Sequence, residues 1–320
     1  MASFEVLMPV PGMPEIADRL ERRVKLHKLW EAADREERLA AIAPNVRAIV
    51  STWVSAPVDA TLMSRLPKLE IVASFGVGYD HIDAAWAGQH GVVVTHTPGV
   101  LDEDVADIAI ALTLAATRRL PQAERYLREG RWPSGAYRLT ASLRGRTMGI
   151  LGLGRIGAAI ARRAEAFGLK IAYHGRHKQD GVAYPYYETP IALAEACDIL
   201  VIAAPGGPAT RHIVDSRVLA ALGADGVLVN IARGSLVDER ALIAALRDGV
   251  ILAAGLDVYE KEPNAPTELI ALDNAVLLPH VGSATRHTRA AMANLVVDNL
   301  LSWVYGKGPL TPTPETPWRP

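Results

Sequence analysis

The chain has 320 residues, half of them apolar, a formal net charge of −1 and one cysteine, Cys197. That length holds one large or two ordinary domains, and the composition fits a globular protein with a sizeable core. Near-zero charge without long runs of one sign argues against a broad nucleic-acid surface, and a lone cysteine excludes an intrachain disulfide.

The N-terminal "MASFEVLMPVPGMP" lacks a basic segment followed by a long apolar one, so no secretory leader is expected. No apolar stretch reaches the ~18 residues of a membrane helix. The expectation is a soluble, cytoplasmic protein. In the first hundred residues, short β-rich runs ("FEVLM", "VRAIVS", "LEIVAS", "GVVVTH") alternate with helical stretches such as 16–43. Such alternation predicts a parallel α/β unit. Residues 101–117 then read as one long, mostly apolar helix, expected to lie between domains. From Arg146 the alternation resumes with "TMGILGLG", "KIAYHG", "DILVIAA", "GVLVNIA", "LAAGLDV" and "AVLLPH". Six such runs describe a doubly wound sheet. Cys197 opens one of them and reads as a buried structural thiol, the alternative being a nucleophile. A helical stretch over 283–304 is expected to return to the first domain. The proline-rich "GPLTPTPETPWRP" reads as an extended or disordered end.

Gly152, Gly154 and Gly157 in "GILGLGRIGAAIARR" form G-x-G-x-x-G. The motif alone is weak, but here it follows a β-rich run and opens a helical pattern, the context of a dinucleotide-binding turn. The first glycine permits the tight turn, the second admits the pyrophosphate, and the third lets helix and strand pack closely. The helix N-terminus then offers unpaired N–H groups to phosphate. The next strand of such a unit ordinarily ends on an acid that holds the adenosine ribose. In this chain "IAYHGRHKQD" places Gly175, Arg176, His177 and Lys178 there. A carboxylate would repel a 2′-phosphate, whereas glycine leaves room and arginine can grip it in a planar, charge-assisted way. The pattern points to NADPH/NADP rather than NADH/NAD, against the alternative of a solvated basic loop.

Ligands of open parallel sheets sit beyond the carboxyl ends of the strands. The polar residues that follow the later runs are Arg233, Asp257, Glu260, Glu262 and His280. One arginine, one glutamate and one histidine at one sheet edge suit the reduction of a 2-oxo acid. Arginine clamps the carboxylate and polarises the carbonyl, histidine exchanges the proton, and glutamate holds the imidazole charged and oriented. Singly, Arg233 could be a surface ion pair, Glu262 a loop acid and His280 a satisfied loop histidine. Their common location argues against all three at once. The other eight histidines show no comparable context. No metal-ligand spacing is apparent.

"GILGLGRIG", "VNIARGSLVDE", "GLDVYEKEP" and "LLPHVGSAT" together resemble the D-isomer-specific 2-hydroxyacid dehydrogenase family, most of all its glyoxylate/hydroxypyruvate reductase branch. The resemblance runs from about Leu69 to Thr285. It implies a Rossmann-type doubly wound parallel sheet domain (residues 100–285) plus a discontinuous flavodoxin-like α/β substrate domain (1–99), with 286–320 returning to the latter and a cleft separating the two. It places the catalytic arginine on Arg233, the glutamate on Glu262 and the acid/base histidine on His280. The Glu-Pro of "EKEP" selects Glu262 over Glu260. Cofactor-binding positions implied are Gly152, Gly154, Arg155, Ile156, Gly157, Arg176, His177, Lys178, Ala204, Thr210, Ile231, Asp257 and Gly282. "FGVGYDHID" resembles the substrate loop, so Val77 and Gly78 are expected to offer N–H groups to the carboxylate, with Ser283 also near the substrate. Where this chain has His96, the family pattern more often has Asn. The resemblance further implies a homodimer joined around "RRLPQAERYLREGRWPSGAYRLTAS", with Trp132 and Tyr137 as interface or substrate-rim residues. A small 2-oxo acid, glyoxylate or hydroxypyruvate, is the expected substrate. A bulkier oxo acid such as an aryl pyruvate, and a dinucleotide-sensing corepressor-like protein, are the alternatives.

Overall fold

The computed structural model describes residues 4–52 and 57–318. The chain divides into two compact units, one formed by Met1–Leu101 with Thr285–Pro320 and the other by Asp102–Ala284.

The discontinuous unit is built on five parallel strands: β1 (Glu5–Met8), β2 (Lys25–Lys28), β3 (Val46–Thr52), β4 (Ile71–Phe75) and β5 (Val93–Thr95), in the order β2-β1-β3-β4-β5. That 2-1-3-4-5 order is flavodoxin-like. The helices starting at Arg35, Ala60 and Ala84 begin at acidic caps. Asp34, Asp59 and Asp83 each accept backbone N–H groups from the first turn that follows them. The stretch 16–43, read from sequence as helical, is instead a helix (Pro14–Glu21), then β2, then a second helix (Arg35–Ile42). β2 is the sequence "KLHK", a short edge strand with one fully buried side chain, His27, so it carries no apolar run to announce it. The return helix, Arg286–Val304, is capped by the Thr285 hydroxyl, which accepts from Thr288 N. It packs on β4 and on the helix Pro14–Glu21, where Arg19 reaches Asn294 and Asp298.

The proline-rich tail is extended, as its composition predicts, but it is not loose. Thr313 N donates to Val94 O at 2.8 Å, and Thr316 Oγ1 accepts from Val94 N at 2.9 Å. Thr313 and Thr316 are buried. The fully buried Asn299 accepts from the backbone N–H groups of Leu310 and Thr311 with one amide atom and donates to the Thr311 hydroxyl with the other. Of the two readings, extended and disordered, the extended one holds, and hydrogen bonds that threonine and asparagine supply fix the segment in place.

The second unit carries β6 (Thr147–Leu151), β7 (Lys170–His174), β8 (Ile199–Ile202), β9 (Val227–Asn230), β10 (Ala253–Leu256) and β11 (Ala275–Leu277), all parallel in the order β11-β10-β9-β8-β6-β7. These are the six runs read from sequence. β8 is fully buried along its length, as a central parallel strand covered on both faces must be. Each Leu, Ile or Val sealed this way stabilises the fold by roughly 1.5–3 kcal/mol. The long helix Asp102–Arg118 covers one face, and Gly255 of β10 lets it approach. A Cβ there would lie 2.9 Å from Leu112 Cβ. Asp107, the charge within that apolar helix, pairs with Arg163 of the helix Arg155–Ala166, which also meets Glu103. Cys197 fills the opposite side of β6, where a Cβ on Gly149 would lie 2.7 Å from its sulfur. The chain runs from β6 outward to β7 and then returns past β6 to β8, so the order reverses beside the carboxyl end of β6, where such sheets open a crevice.

Candidate active site

The turn after β6 is built for a close approach. Gly152 has φ 100°, and a Cβ there would sit 2.6 Å from Ala204 N. A Cβ on Gly157 would lie 2.3 Å from Gly152 O, so both positions exclude any larger residue. At Gly154 nothing lies within 4 Å of a built Cβ. Gly154 caps the helix Arg155–Ala166 with no side-chain hydrogen bond, so Arg155 and Ile156 begin a helix whose first N–H groups have no capping oxygen. Room at Gly154, tight backbone at Gly152 and Gly157, and an uncapped helix start together fit a dinucleotide pyrophosphate.

Beyond β7, Arg176, His177 and Lys178 are exposed and, among the described residues, enter no ion pair. Gly175 leaves open space, the nearest atom to a built Cβ being His177 O at 3.8 Å. The loop's base is fixed. The Tyr173 hydroxyl accepts from Gln179 N, and the Gln179 amide donates to Leu153 O in the glycine turn, each at 2.8 Å. Farther along the edge, Ala204 and Ile231 are buried. Thr210 turns its hydroxyl back onto Pro205 O.

Arg233 follows β9. Asn230 braces its backbone, donating to Arg233 O at 2.9 Å and accepting from Ala232 N at 3.0 Å. The next residue admits no side chain: a Cβ on Gly234 would lie 1.8 Å from Tyr259 C. Arg233 is therefore set directly against the loop that bears Glu262.

His280 sits after β11 with φ 52°, a left-handed conformation that costs a non-glycine residue on the order of 1–3 kcal/mol. Asp257 holds it there. The Asp257 carbonyl accepts from His280 N at 2.9 Å, and its two carboxylate oxygens accept from Val281 N and Gly282 N, each at 2.7 Å. Asp257 is 1% exposed, and burial pushes its carboxyl above the ordinary value, those two N–H groups offsetting only part of that push. Its evident task is to shape the 280–282 turn, a role its position in sequence did not reveal. A Cβ on Gly282 would come within 3.0 Å of Asp257 Oδ2, which makes glycine the fitting residue.

Glu262 completes the set. Its Oε2 lies 2.7 Å from His280 Nδ1, and its Oε1 accepts from Tyr259 N at 3.1 Å. Burial pushes the Glu262 carboxyl up, but the His280 bond and charge, the Tyr259 N–H and the nearby Arg233 outweigh it and hold it below the ordinary carboxylate value. Glu260, the other acid of "EKEP", turns to His212, which also has a left-handed backbone (φ 50°) and whose N–H donates to Ser235 O. Glu260 N in turn donates to Glu239. This histidine–glutamate pair, like that of His27 with Glu5, contradicts the reading that no other histidine has a comparable context. Its partners are 48 residues apart, so no local pattern marks it. Ser283 is half-buried at the end of the unit.

In the other unit, Val77 and Gly78 are half-buried on the loop after β4. Among the described residues no group of His, Cys, Asp and Glu could hold a metal ion, and no helix is long and apolar enough to cross a membrane.

Residues 110–282 match the model of the D-isomer specific 2-hydroxyacid dehydrogenase NAD binding domain. The chain is 51% identical to glyoxylate/hydroxypyruvate reductase A of Arabidopsis thaliana over 312 residues, 98% of this chain and 99% of that protein. It is 47% identical to hydroxyphenylpyruvate reductase of Plectranthus scutellarioides over the same shares of the two chains. Its structure resembles that of an NADPH-dependent glyoxylate/hydroxypyruvate reductase from Sinorhizobium meliloti, solved with NADP and malonate. There the TM-score is 0.92 at 46% identity, with 100% of this chain and 99% of that one covered.

Proposed function

The chain belongs to the D-isomer specific 2-hydroxyacid dehydrogenase family, and from that premise we propose that it reduces a small 2-oxo acid, glyoxylate or hydroxypyruvate, to the D-2-hydroxy acid with NADPH. The observation that carries this reading is the His280–Glu262 pair at 2.7 Å, with Arg233 close enough to bear on the same carboxylate.

Gly152, Gly154, Gly157 and the N–H groups at Arg155 and Ile156 hold the pyrophosphate, with Ala204, Thr210, Ile231 and Gly282 lining the rest. Bound there, the nicotinamide supplies the hydride. Arg233 clamps the substrate carboxylate and polarises the carbonyl, its planar fork matching a carboxylate better than a point charge would. In the other unit the N–H groups of Val77 and Gly78 suit a substrate carboxylate, and Ser283 is assigned to substrate binding. His280 delivers the proton to the carbonyl oxygen through Nε2, since Nδ1 is engaged with Glu262. Glu262 orients the ring and favours its charged form, and Asp257 fixes the backbone that presents it.

The preference for NADPH rests on the missing acid at Gly175 and the exposed Arg176, His177 and Lys178. The NADPH dependence of the Sinorhizobium meliloti relative supports it. A homodimer belongs to the same reading. The segment 118–142 presents Leu127, Trp132 and Leu139 at 57%, 66% and 96% exposure, a cost in water that a second copy would relieve. A cytoplasmic location completes it.

The relative named hydroxyphenylpyruvate reductase supports a second reading, an aryl 2-oxo acid as substrate. Steady-state assays of glyoxylate, hydroxypyruvate and hydroxyphenylpyruvate, each with NADPH and with NADH, separate the two. The highest kcat/KM is expected for one of the small acids with NADPH. No turnover of any of the three would sink the proposal.

A further inference from the structure

His96 stands outside the catalytic set, yet its ring points at the loop assigned above to the substrate carboxylate. Its Nδ1 lies 3.1 Å from the carbonyl oxygen of Val77. A carbonyl only accepts, so Nδ1 carries the proton and donates. The Val77–Gly78 peptide is trans, the only cis bond being Glu262–Pro263 among the described residues. In a planar trans peptide the C=O and the following N–H point in opposite directions. Holding the Val77 carbonyl toward His96 therefore aims the Gly78 N–H away from it. Among the described residues neither the Val77 nor the Gly78 N–H donates to another group of the protein.

The ring is braced on several sides. Tyr79 meets it edge to face, with centroids 5.4 Å apart at 85°. The Tyr79 hydroxyl donates to Glu315 Oε2 at 3.0 Å. Burial first, and then the Glu315 carboxylate, push this phenol up to about 12, so it remains a donor. The His96 backbone is gripped from both sides by Thr311: His96 N donates to Thr311 O at 3.2 Å, and Thr311 Oγ1 donates to His96 O at 2.6 Å. Asn299, fully buried, holds Thr311 in turn. Thr97 N donates to Gly76 O at 2.9 Å, tying the same segment to the start of the loop. The C-terminal tail thus fixes a histidine whose ring, among the described residues, makes one directed polar contact, to the substrate-loop carbonyl.

We infer that His96 is a positioning residue: by binding the Val77 carbonyl, and itself locked by Thr311, Tyr79 and Glu315, it keeps the Gly78 N–H turned toward the substrate carboxylate. The inference rests on the reading of the 77–78 loop given under Proposed function. Glycine at position 78 makes the device necessary. A glycine-flanked peptide flips easily, and a flipped Val77–Gly78 unit would present a carbonyl oxygen to a carboxylate, exchanging attraction for repulsion.

Four proteins test it: the parent, His96→Leu, His96→Asn and Gly78→Pro, assayed with glyoxylate or hydroxypyruvate and NADPH. Leucine fills the space without a donor. Asparagine keeps an N–H donor of similar reach. Proline at 78 removes the N–H itself. His96→Leu should raise the KM for the oxo acid about tenfold, which corresponds to about 1.4 kcal/mol, with kcat, the KM for NADPH and the melting temperature little changed. His96→Asn should restore most of that loss, and Gly78→Pro should match or exceed His96→Leu. An unchanged oxo-acid KM in His96→Leu alongside a raised one in Gly78→Pro would overturn the role of His96 and leave the loop reading standing. Equal damage from Leu and Asn would also overturn it, because the donor would then be irrelevant. If Gly78→Pro too binds the oxo acid as the parent does, the loop reading falls and takes the inference with it.

Discussion

Glu262 and His280 are joined by a 2.7 Å hydrogen bond between Oε2 and Nδ1, and the second carboxylate oxygen is occupied by the Tyr259 N–H. Glu262 is thus bound in its charged form on both sides, and its carboxyl is held below its ordinary value of 4.5 despite the upward push of burial. A carboxyl depressed in the folded state stabilises the fold above its unfolded pKa, and that contribution is lost as pH falls through the folded pKa. Glu262→Gln should therefore be less stable than the parent at pH 7, by about 1–3 kcal/mol for a half-buried hydrogen-bonded group. The difference should close in acid, below the ordinary carboxylate range. Urea unfolding followed from pH 7 down through the acid range below 4.5 reads it. A stability gap that stays constant across that interval would mean that the charge of Glu262 contributes nothing and only its shape matters.

Arg233 owes its place to the residue after it, because Gly234 packs against the Tyr259–Glu260 backbone with no room for a Cβ. Arg233→Lys keeps the charge but loses the planar fork. The loss of one charge-assisted hydrogen bond, roughly 1.5–3 kcal/mol, predicts a fall in kcat/KM for oxo-acid reduction of about 10- to 100-fold, with NADPH affinity unchanged. Unaltered kcat/KM would remove Arg233 from the role of clamp. Gly234→Ala should be worse than its size suggests. The added methyl would force apart the loops of Arg233 and Glu262, so both activity and melting temperature should fall together.

The α/β character, the six strands of the dinucleotide unit and the glycine turn were all legible because each is marked locally, by an apolar run or by spacing between glycines. β2 was not, since "KLHK" buries only His27 fully and its pairing with β1 is a long-range choice. The tail was legible as extended, but not as fixed, because Asn299 and Val94 hold it through long-range hydrogen bonds. At the site, Arg233 and His280 stood out as polar residues after strands, while Glu262 was separated from Glu260 only by the family resemblance of "EKEP". The work of Asp257 did not stand out, because a carboxylate that accepts two N–H groups from the 281–282 turn looks in sequence like any other acid after a strand. His212 and Glu260 find each other only through the folding of two separate loops.

Cys197 offers a check on the packing of the dinucleotide sheet. Its thiol is buried against Gly149, and burial pushes its pKa up to about 12. Thiolate, not thiol, is the reactive form. At pH 8 the native protein should therefore react with a disulfide reagent such as dithionitrobenzoate far more slowly than a free thiol, by at least ~100-fold. One equivalent should react promptly once the chain is unfolded in guanidinium. Rapid labelling of the native protein with retained activity would show that the β6 face is open where the structure has it closed.

Cofactor choice turns on the stretch after β7, where basic residues replace the expected acid. Arg176, His177 and Lys178 are exposed, they enter no ion pair among the described residues, and Gly175 leaves the space beside them open. Nothing in the fold requires Arg176, so its replacement should leave stability within about 0.5 kcal/mol, as for most surface positions. Its effect on the two cofactors should differ. Only NADPH carries the 2′-phosphate, and one charge-assisted hydrogen bond to it contributes roughly 1.5–3 kcal/mol. Arg176→Ala should therefore raise the KM for NADPH about tenfold or more while that for NADH changes little. Adding Gly175→Asp should carry the preference further toward NADH, because a carboxylate repels the 2′-phosphate and accepts from the ribose hydroxyls that NADH presents. The open space around Gly175 means that the aspartate can be accommodated without moving backbone. The decisive quantity is the ratio of kcat/KM for NADPH over NADH, measured with one oxo acid across the three proteins. If Arg176→Ala weakens both cofactors equally, the ratio stays put, and the basic loop is a solvated surface rather than a phosphate site.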